Sequence, residues 1–294
     1  MFFFKFNDTF VLEEKSLLII GKFESFHLGH LNLLKEAVVS ASKKDLKIIL
    51  MIYPNEHNSL FSWEEREIIL SKIGIDLIMI FEPSFKNYQL SISDFVKIIK
   101  NKYNTQIVFS GDDFTFNKTD DDFSILNKLI EVELFKRIRY DNQIISTFLI
   151  KNALISGEIE LVNELLGFNY FYYGRVIPGN QKGTEINFPT ANVKFDEFKI
   201  QPKEGIYFSY LVFDQKKYPS LTSISNNPTH ENLNYLKFET YVLNFKDNLY
   251  GKYVKIELLK YLRQPQKFPN DKELILKIKD DVSRAIIYFN NIKK

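Results

Sequence analysis

The chain has 294 residues, 45% of them hydrophobic, with 28 Phe and 16 Tyr and a formal net charge of +2 from 39 basic and 37 acidic residues. That length suggests two domains with substantial cores, and the near-balance of charge gives no electrostatic reason to expect a nucleic-acid or membrane-surface partner. The absence of Cys excludes disulfides and thiolate-held metals, the apolar start at Met1–Phe4 is too short for a signal peptide, and no apolar run approaches bilayer length, so a cytoplasmic protein is expected.

Residues 17–166 alternate between two patterns. Short apolar runs occur at Leu17–Phe23, Leu46–Tyr53, Asp76–Phe81, Gln106–Phe109 and Leu134–Ile138. Between them lie stretches with helical spacing, such as Leu28–Lys43, with Leu28, Leu31, Leu34, Ala37 and Val38 on one side. Ser62 with Glu65 has the form of a capping box, and Ser91 and Ser93 are candidate caps for a helix across Asp94–Lys102. This alternation predicts an α/β domain with a mainly parallel, Rossmann-like sheet, whose ligands bind beyond the carboxyl ends of the strands.

The first strand leads into Gly21-Lys22-Phe23-Glu24-Ser25-Phe26-His27-Leu28-Gly29-His30. No P-loop pattern occurs, so nucleotide has to be held another way. His27 and His30, at i and i+3, neighbour each other on the first turn of a helix whose N-terminal end favours phosphate oxygens. Imidazole donors there can stabilise charge developing on phosphorus. The same pattern also reads as two polar caps on a surface helix, or as part of a zinc site with His57 as the nearest further ligand.

After Gly167 the composition turns aromatic, and the domain boundary is expected there, giving domains 1–168 and 169–294. Short strands follow at Tyr172–Ile177, Gly205–Phe213, Leu221–Ser225, Leu236–Leu243 and Lys252–Leu259, which predict a small antiparallel β-barrel. Asp271–Asn291, apolar at Leu274, Ile278, Val282, Ala285 and Ile286, predicts a C-terminal amphipathic helix packed on that barrel.

Within this half, a short strand, Arg175 to Ile177, opens a loop with Gly179, Asn180, Lys182 and Gly183. Such a loop reads either as a glycine turn before an edge strand or as an anion-binding concavity to which Lys182 adds charge. In Phe188-Pro189-Thr190-Ala191-Asn192, the proline bend aims Thr190 and Asn192 to one side, and their oxygens are hard ligands of the kind Mg²⁺ prefers beside phosphates. Glu239, among apolar neighbours in Leu236–Leu243, reads on pattern alone as a solvent-facing strand residue.

Taken whole, Gly174–Asn192 resembles the ATP-binding signature of riboflavin kinases, Gly-x-Val, a glycine loop, then Gly-Phe-Pro-Thr-Ala-Asn, with Asn187 where the family has Gly and Thr184 where it often has Arg. Gly-x-Phe-x-x-x-His-x-Gly-His at residues 21–30 resembles the HxGH-type nucleotidyltransferase module of the bacterial bifunctional riboflavin kinase/FAD synthetase family, and the order of modules agrees. Tyr53–His57, Gly111–Phe116, Ile145–Lys151, Gly205–Tyr207, Asn227–Thr229, Leu249–Gly251 and Leu262–Phe268 are similar to further family segments. Departures are Glu24-Ser25 for Asp-Gly, no Pro-His-Pro histidine unless His57 serves, Phe148 for Thr, Lys151 for Arg and His230 for Phe.

The resemblance implies two reactions with ATP as co-substrate and Mg²⁺: riboflavin to FMN at the barrel, and FMN to FAD at the sheet. It implies Glu239 as the general base toward the ribityl hydroxyl, Thr190 and Asn192 as metal and ATP ligands with Gly179 and Lys182, and Arg263 and Phe268 at the flavin. In the other half it implies His27 and His30 as catalytic groups, with Gly21, Phe23, Gly29, Ser146, Thr147 and Lys151 at ATP and its phosphates. The substrates are then riboflavin, FMN and ATP, with no nucleic acid or membrane partner. Two other readings stand beside it: riboflavin kinase only, with a degenerate adenylyltransferase domain, and a flavin- or nucleotide-binding sensor without catalysis.

Overall fold

The computed structural model describes residues 2–54, 57–82, 90–112, 122–179, 182–186, 188–196, 198–226, 236–245 and 247–292. The chain forms two compact units: residues 1–56 with 63–147, and residues 57–62 with 148–294. The sequence-based boundary at 168/169 differs from this division in where it assigns residues 57–62 and 148–168.

The first unit is built on a sheet of strands β1 (Phe2–Lys5), β2 (Ser16–Ile20), β3 (Lys47–Ile52), β4 (Leu77–Ile80), β5 (Thr105–Gly111) and β6 (Glu131–Phe135), in the order β1-β4-β3-β2-β5-β6. All five pairings are parallel, as the strand–helix alternation predicts. Helices α1 (Leu28–Lys44), α2 (Trp63–Leu70), α3 (Ile92–Tyr103) and α4 (Asp122–Leu129) join β2 to β6 in succession, and a small hairpin, β7 (Arg139–Tyr140) with β8 (Gln143–Ile144), follows. Strand β2 is buried at every position, because Leu18 and Ile20 meet a core that includes Phe95 and Ile99 of α3, while α1 packs on β2, β3 and β5. Burial on both faces is why these strands read as unbroken apolar runs. Ser91, not Ser93, caps α3: its hydroxyl accepts from the Asp94 N–H at 3.1 Å. The N-terminal aromatic run Phe2–Lys5 pairs with β4 as an edge strand, which its short length concealed.

The second unit opens with helices α5 (Thr147–Ser156) and α6 (Ile159–Leu166), α5 contributing its residues from Phe148 on. Asn163 ties α6 to the barrel, its Nδ2 donating to the Leu258 carbonyl at 2.9 Å. Strands β9 (Phe171–Ile177), β10 (Thr190–Lys194), β11 (Gly205–Phe213), β12 (Lys216–Asn226), β13 (Leu236–Val242) and β14 (Tyr253–Arg263) close a barrel in the order β10-β13-β12-β11-β14-β9, with every pairing antiparallel. A one-turn helix, α7 (Lys182–Glu185), lies between β9 and β10, and α8 (Asp271–Ile292) ends the described chain. Helix α8 packs on the barrel through Ala285 and Phe289 against Phe208, Leu221 and Leu259.

Strand β12 begins at Lys216, earlier than the apolar pattern suggests, and holds Pro219 opposite Tyr210 while its ladder with β13 starts only at Ser220. A proline there forfeits no bond to β13, since it has no N–H to give. A fully buried hydroxyl ladder crosses three strands: Ser209 Oγ lies 2.8 Å from Thr222 Oγ1, which lies 2.9 Å from Thr240 Oγ1. Thr240 takes the face of β13 opposite to Glu239, as strand alternation requires. Residues 57–62 join this unit through the Tyr170 hydroxyl, which donates to the Leu60 carbonyl at 2.9 Å, and through Ser59, bridged to Lys199.

Candidate active sites

The barrel carries a cavity of about 430 Å³ whose walls include Thr190, Asn192, Glu239, Arg263 and Phe268. The bend at Phe188-Pro189 delivers the chain into β10 with Thr190 and Asn192 on one face. Asn192 is paired directly with Glu239 of β13, Thr190 with Tyr241, and Glu239 in turn with Ser223 of β12. Directly opposed residues on antiparallel strands have Cβ atoms about 5 Å apart, so one ligand can span the ledge and the carboxylate. Phe188 holds the bend, its ring edge-on to Tyr241 at 5.4 Å between centroids.

Two glycines bring the preceding loop onto this ledge. A Cβ at Gly179 would lie 2.0 Å from Asn192 Nδ2, and one at Gly183 would lie 2.4 Å from the Phe188 carbonyl oxygen. The Gly183 carbonyl accepts from the Phe188 N–H at 2.7 Å, which folds the loop back on itself. Asn192 is buried, and its Oδ1 has no hydrogen-bond partner. A buried acceptor left unpaired is costly, and a cation or donor arriving with a ligand would satisfy it. Among the described residues no group of three or more His, Asp or Glu could hold a metal. Neutral oxygens beside a triphosphate suit Mg²⁺, which keeps several ligands of its own. Lys182 opens α7, but its side chain, like Asn180 and Asn187, lies outside the described parts of the structure.

Glu239 is about one-third exposed, and Lys237 Nζ lies 2.7 Å from its Oε1. Arg263 is not a surface cation: its Nε and Nη2 donate to Asp281 Oδ1 and Oδ2 at 3.0 and 2.6 Å. Side-chain exposures of 14% and 4% make this a buried, two-pronged pair. Asp281 comes from α8 and also lines the cavity. Sequence reasoning missed it, although a signal was present. Asp281 falls on the apolar stripe of α8 between Ile278 and Ala285, where a carboxylate needs a partner.

In the first unit, the parallel sheet changes direction beside β2, whose neighbours are β3 and β5. Ligands of such sheets bind at that switch point, beyond the carboxyl ends. The turn leaving β2 is strained: Phe23 and Phe26 sit at φ 45° and 47° with fully buried side chains. A Cβ at Gly21 would lie 2.6 Å from the Phe23 ring. His27 caps α1, its Nδ1 accepting from the His30 N–H at 3.3 Å. The two imidazoles stack at 3.9 Å between centroids and 8° between planes, and Gly29 leaves room for His27. His30 Nδ1 is buried without a partner. Burial, and secondarily His27, hold the His30 imidazole well below the usual histidine range, so it is neutral at pH 7.

Ser25, at the position of a family glycine, is fully buried and shares a 2.9 Å hydrogen bond with Thr147, next to Ser146. Lys151 lies on α5 in the second unit. His57 also belongs to the second unit, with its ring 4.7 Å from Phe198. Asp112 pairs with Arg137 at 2.9 Å, while Asp113 to Phe116, Asn55-Glu56 and Asn227 to His230 lie outside the described residues. Arg66 was missed. It is buried at the carboxyl end of β3, donates to the Tyr53 carbonyl at 3.2 Å, and is lowered to about 10 by burial against the opposing pull of Glu24. Nothing in Glu64-Glu65-Arg66-Glu67 distinguishes it from a solvated charge run.

Comparison with known proteins gives matches along the whole chain. A family model described as FAD synthetase matches residues 11–149, and one described as riboflavin kinase matches residues 166–289. A bifunctional riboflavin kinase/FMN adenylyltransferase of Buchnera aphidicola subsp. Acyrthosiphon pisum is 30% identical, over 95% of each chain. One from Bacillus subtilis is 28% identical over 96% of this chain and 95% of its own. A crystal structure titled as a macrolide-efflux protein from Streptococcus pneumoniae is 25% identical and superposes with a TM-score of 0.87, covering 97% of this chain and 99% of that one. No described helix here is long and apolar enough to cross a membrane.

Proposed function

The chain belongs to the family of bifunctional riboflavin kinases/FMN adenylyltransferases, and from that premise we propose how its residues share the two reactions. It phosphorylates riboflavin to FMN and adenylylates FMN to FAD, using ATP in both steps. We assign adenylyl transfer to residues 1–168 and the kinase to residues 169–294. The need for ATP in both steps supports a cytoplasmic location.

In the kinase, Thr190 and Asn192 would hold Mg²⁺, and the unpartnered Asn192 Oδ1 supports that assignment. When bound, the ion would neutralise triphosphate charge. We assign the loop at Gly179, with Lys182, to the ATP phosphates. Glu239 takes the proton of the ribityl 5′-hydroxyl as that oxygen attacks the γ-phosphorus and ADP leaves. Phe268 forms an apolar wall for the flavin ring. Arg263, clamped by Asp281, offers the ring its planar face. The observation that carries this reading is the direct opposition of Asn192 and Glu239 on one cavity.

In the adenylyltransferase, a phosphate oxygen of FMN attacks the α-phosphorus and pyrophosphate leaves. His27 and His30 donate hydrogen bonds to the crowded phosphorus oxygens, a task a neutral imidazole can perform. Backbone at Gly21, Phe23 and Gly29 borders the nucleotide, since the Phe23 side chain itself is buried. Ser146, Thr147 and Lys151 hold phosphates. Incubation with riboflavin, ATP and Mg²⁺, followed by separation of the flavins, should give FMN and then FAD. FMN without FAD would mean riboflavin kinase only, with a degenerate adenylyltransferase domain.

A further inference from the structure

A second charge stands beside the proposed transfer point. Lys237 precedes Glu239 by two residues on β13, so the two side chains share a face. They are 2.7 Å apart, at side-chain exposures of 24% and 32%, and both line the cavity. Ser225 faces Lys237 across the ladder with β12, as Ser223 faces Glu239, and both serines line the same cavity. Among the described lining residues the cations are Lys237 and Arg263, and Arg263 is already held by Asp281. Lys237 is therefore the cation whose present partner is the group about to change charge.

We propose that Lys237 contacts the phosphoryl group as it passes to the ribityl oxygen and then holds the phosphate of FMN, with Ser223 and Ser225 beside it. The inference rests on Glu239 being the general base. Before transfer, the carboxylate of Glu239 occupies the ammonium. In the reaction the ribityl O–H proton passes to Glu239, the oxygen–phosphorus bond forms, and the bond from γ-phosphorus to the bridging oxygen breaks, with its electron pair leaving on ADP. Protonation removes the negative charge that held Lys237. A phosphomonoester appears beside it in the same step. Lys237 exchanges one anion for another, and a point charge on a flexible four-carbon stem can follow that exchange. It stabilises the transferring group and the product, while riboflavin, which carries no phosphate, gains nothing from it.

The test uses the full chain and follows ADP release, which reports the kinase alone because the second step releases pyrophosphate. Initial rates are measured against riboflavin, with FMN added as product inhibitor. Lys237→Gln should lower kcat and weaken inhibition by FMN at least about tenfold, the factor expected for one lost charge-assisted hydrogen bond. Riboflavin KM should stay within about twofold, because no phosphate contact is lost from that substrate. Lys237→Arg should restore most of both effects. Unchanged inhibition by FMN, or a riboflavin KM that rises in step with it, overturns the proposal. Thermal melting checks folding, and Lys237→Met, which keeps the stem, replaces the Gln variant if that one fails to fold. Glu239→Gln is assayed alongside: an active Glu239→Gln enzyme overturns the assignment of the base, whereas an inactive one with unaltered FMN inhibition in Lys237→Gln overturns the role of Lys237 alone.

Discussion

Asn192 and Glu239 face each other as a directly paired couple across β10 and β13, at the wall of one cavity. An amide oxygen suited to a metal-bound triphosphate thus stands within one substrate's reach of a carboxylate suited to take a proton. The two residues are 47 positions apart in sequence by their numbering, and only barrel closure makes them neighbours.

Gly179→Ala tests the loop. Its Cβ would fall 2.0 Å from the Asn192 amide, so the loop or Asn192 must move. The kinase step should show a raised KM for ATP and lowered turnover, by about tenfold or more, since a displacement near 1 Å can cost about a hundredfold. FAD formation from supplied FMN should be unaffected. Kinetics of both steps on one preparation check this.

Asp281→Asn should free Arg263 from its clamp. Removing one partner of a buried ion pair costs roughly 3–5 kcal/mol. At 14% and 4% exposure the lower end is expected here, so a loss of about 3 kcal/mol in a urea melt is predicted. A rise in riboflavin KM should accompany it, because the wall of the cavity loses its fixed geometry. Asp281→Glu should not rescue the enzyme fully, since the longer side chain overshoots a bidentate fit.

Glu257 gives a pH prediction. Burial pushes its carboxyl up, but hydrogen bonds from Lys217, Lys255 and Asn169 outweigh burial and hold it below the ordinary 4.5. A depressed folded-state value means that the stabilisation is present above 4.5 and is lost as pH falls through the lower, folded-state value. Thermal melts of the wild type and Glu257→Gln should therefore differ at neutral pH and converge as pH drops below that range. A gap that stays constant down to strongly acid pH would show that the ion cluster contributes nothing through its charge.

Much of this was legible in the sequence. Buried parallel strands show as unbroken apolar runs, so β2 to β5 were readable at Leu17–Phe23, Leu46–Tyr53, Asp76–Phe81 and Gln106–Phe109. The histidine turn and the Thr190/Asn192 ledge announce themselves because their chemistry is local. Lys237 and Asp281 do not. A lysine two residues from an acid on a strand looks like any solvated pair, and only the β12–β13–β10 register brings both into a cavity. Edge strand β1 was hidden because four residues carry too little alternation to betray a strand. Ser25 stands out in the sequence as a departure from the family pattern, but its bond to Thr147 spans 122 positions and has no sequence trace.

The most direct measurement is a flavin separation after reaction, run on wild type, Glu239→Gln and His30→Ala. Wild type should convert riboflavin through FMN to FAD. Glu239→Gln should lose FMN formation by about 10²- to 10⁴-fold, the usual share of a general base, yet convert supplied FMN to FAD at the wild-type rate. His30→Ala should do the reverse and stop at FMN. Loss of both conversions in either folded variant, or undiminished FMN formation by Glu239→Gln, would contradict the division of labour between the barrel ledge and the histidine turn.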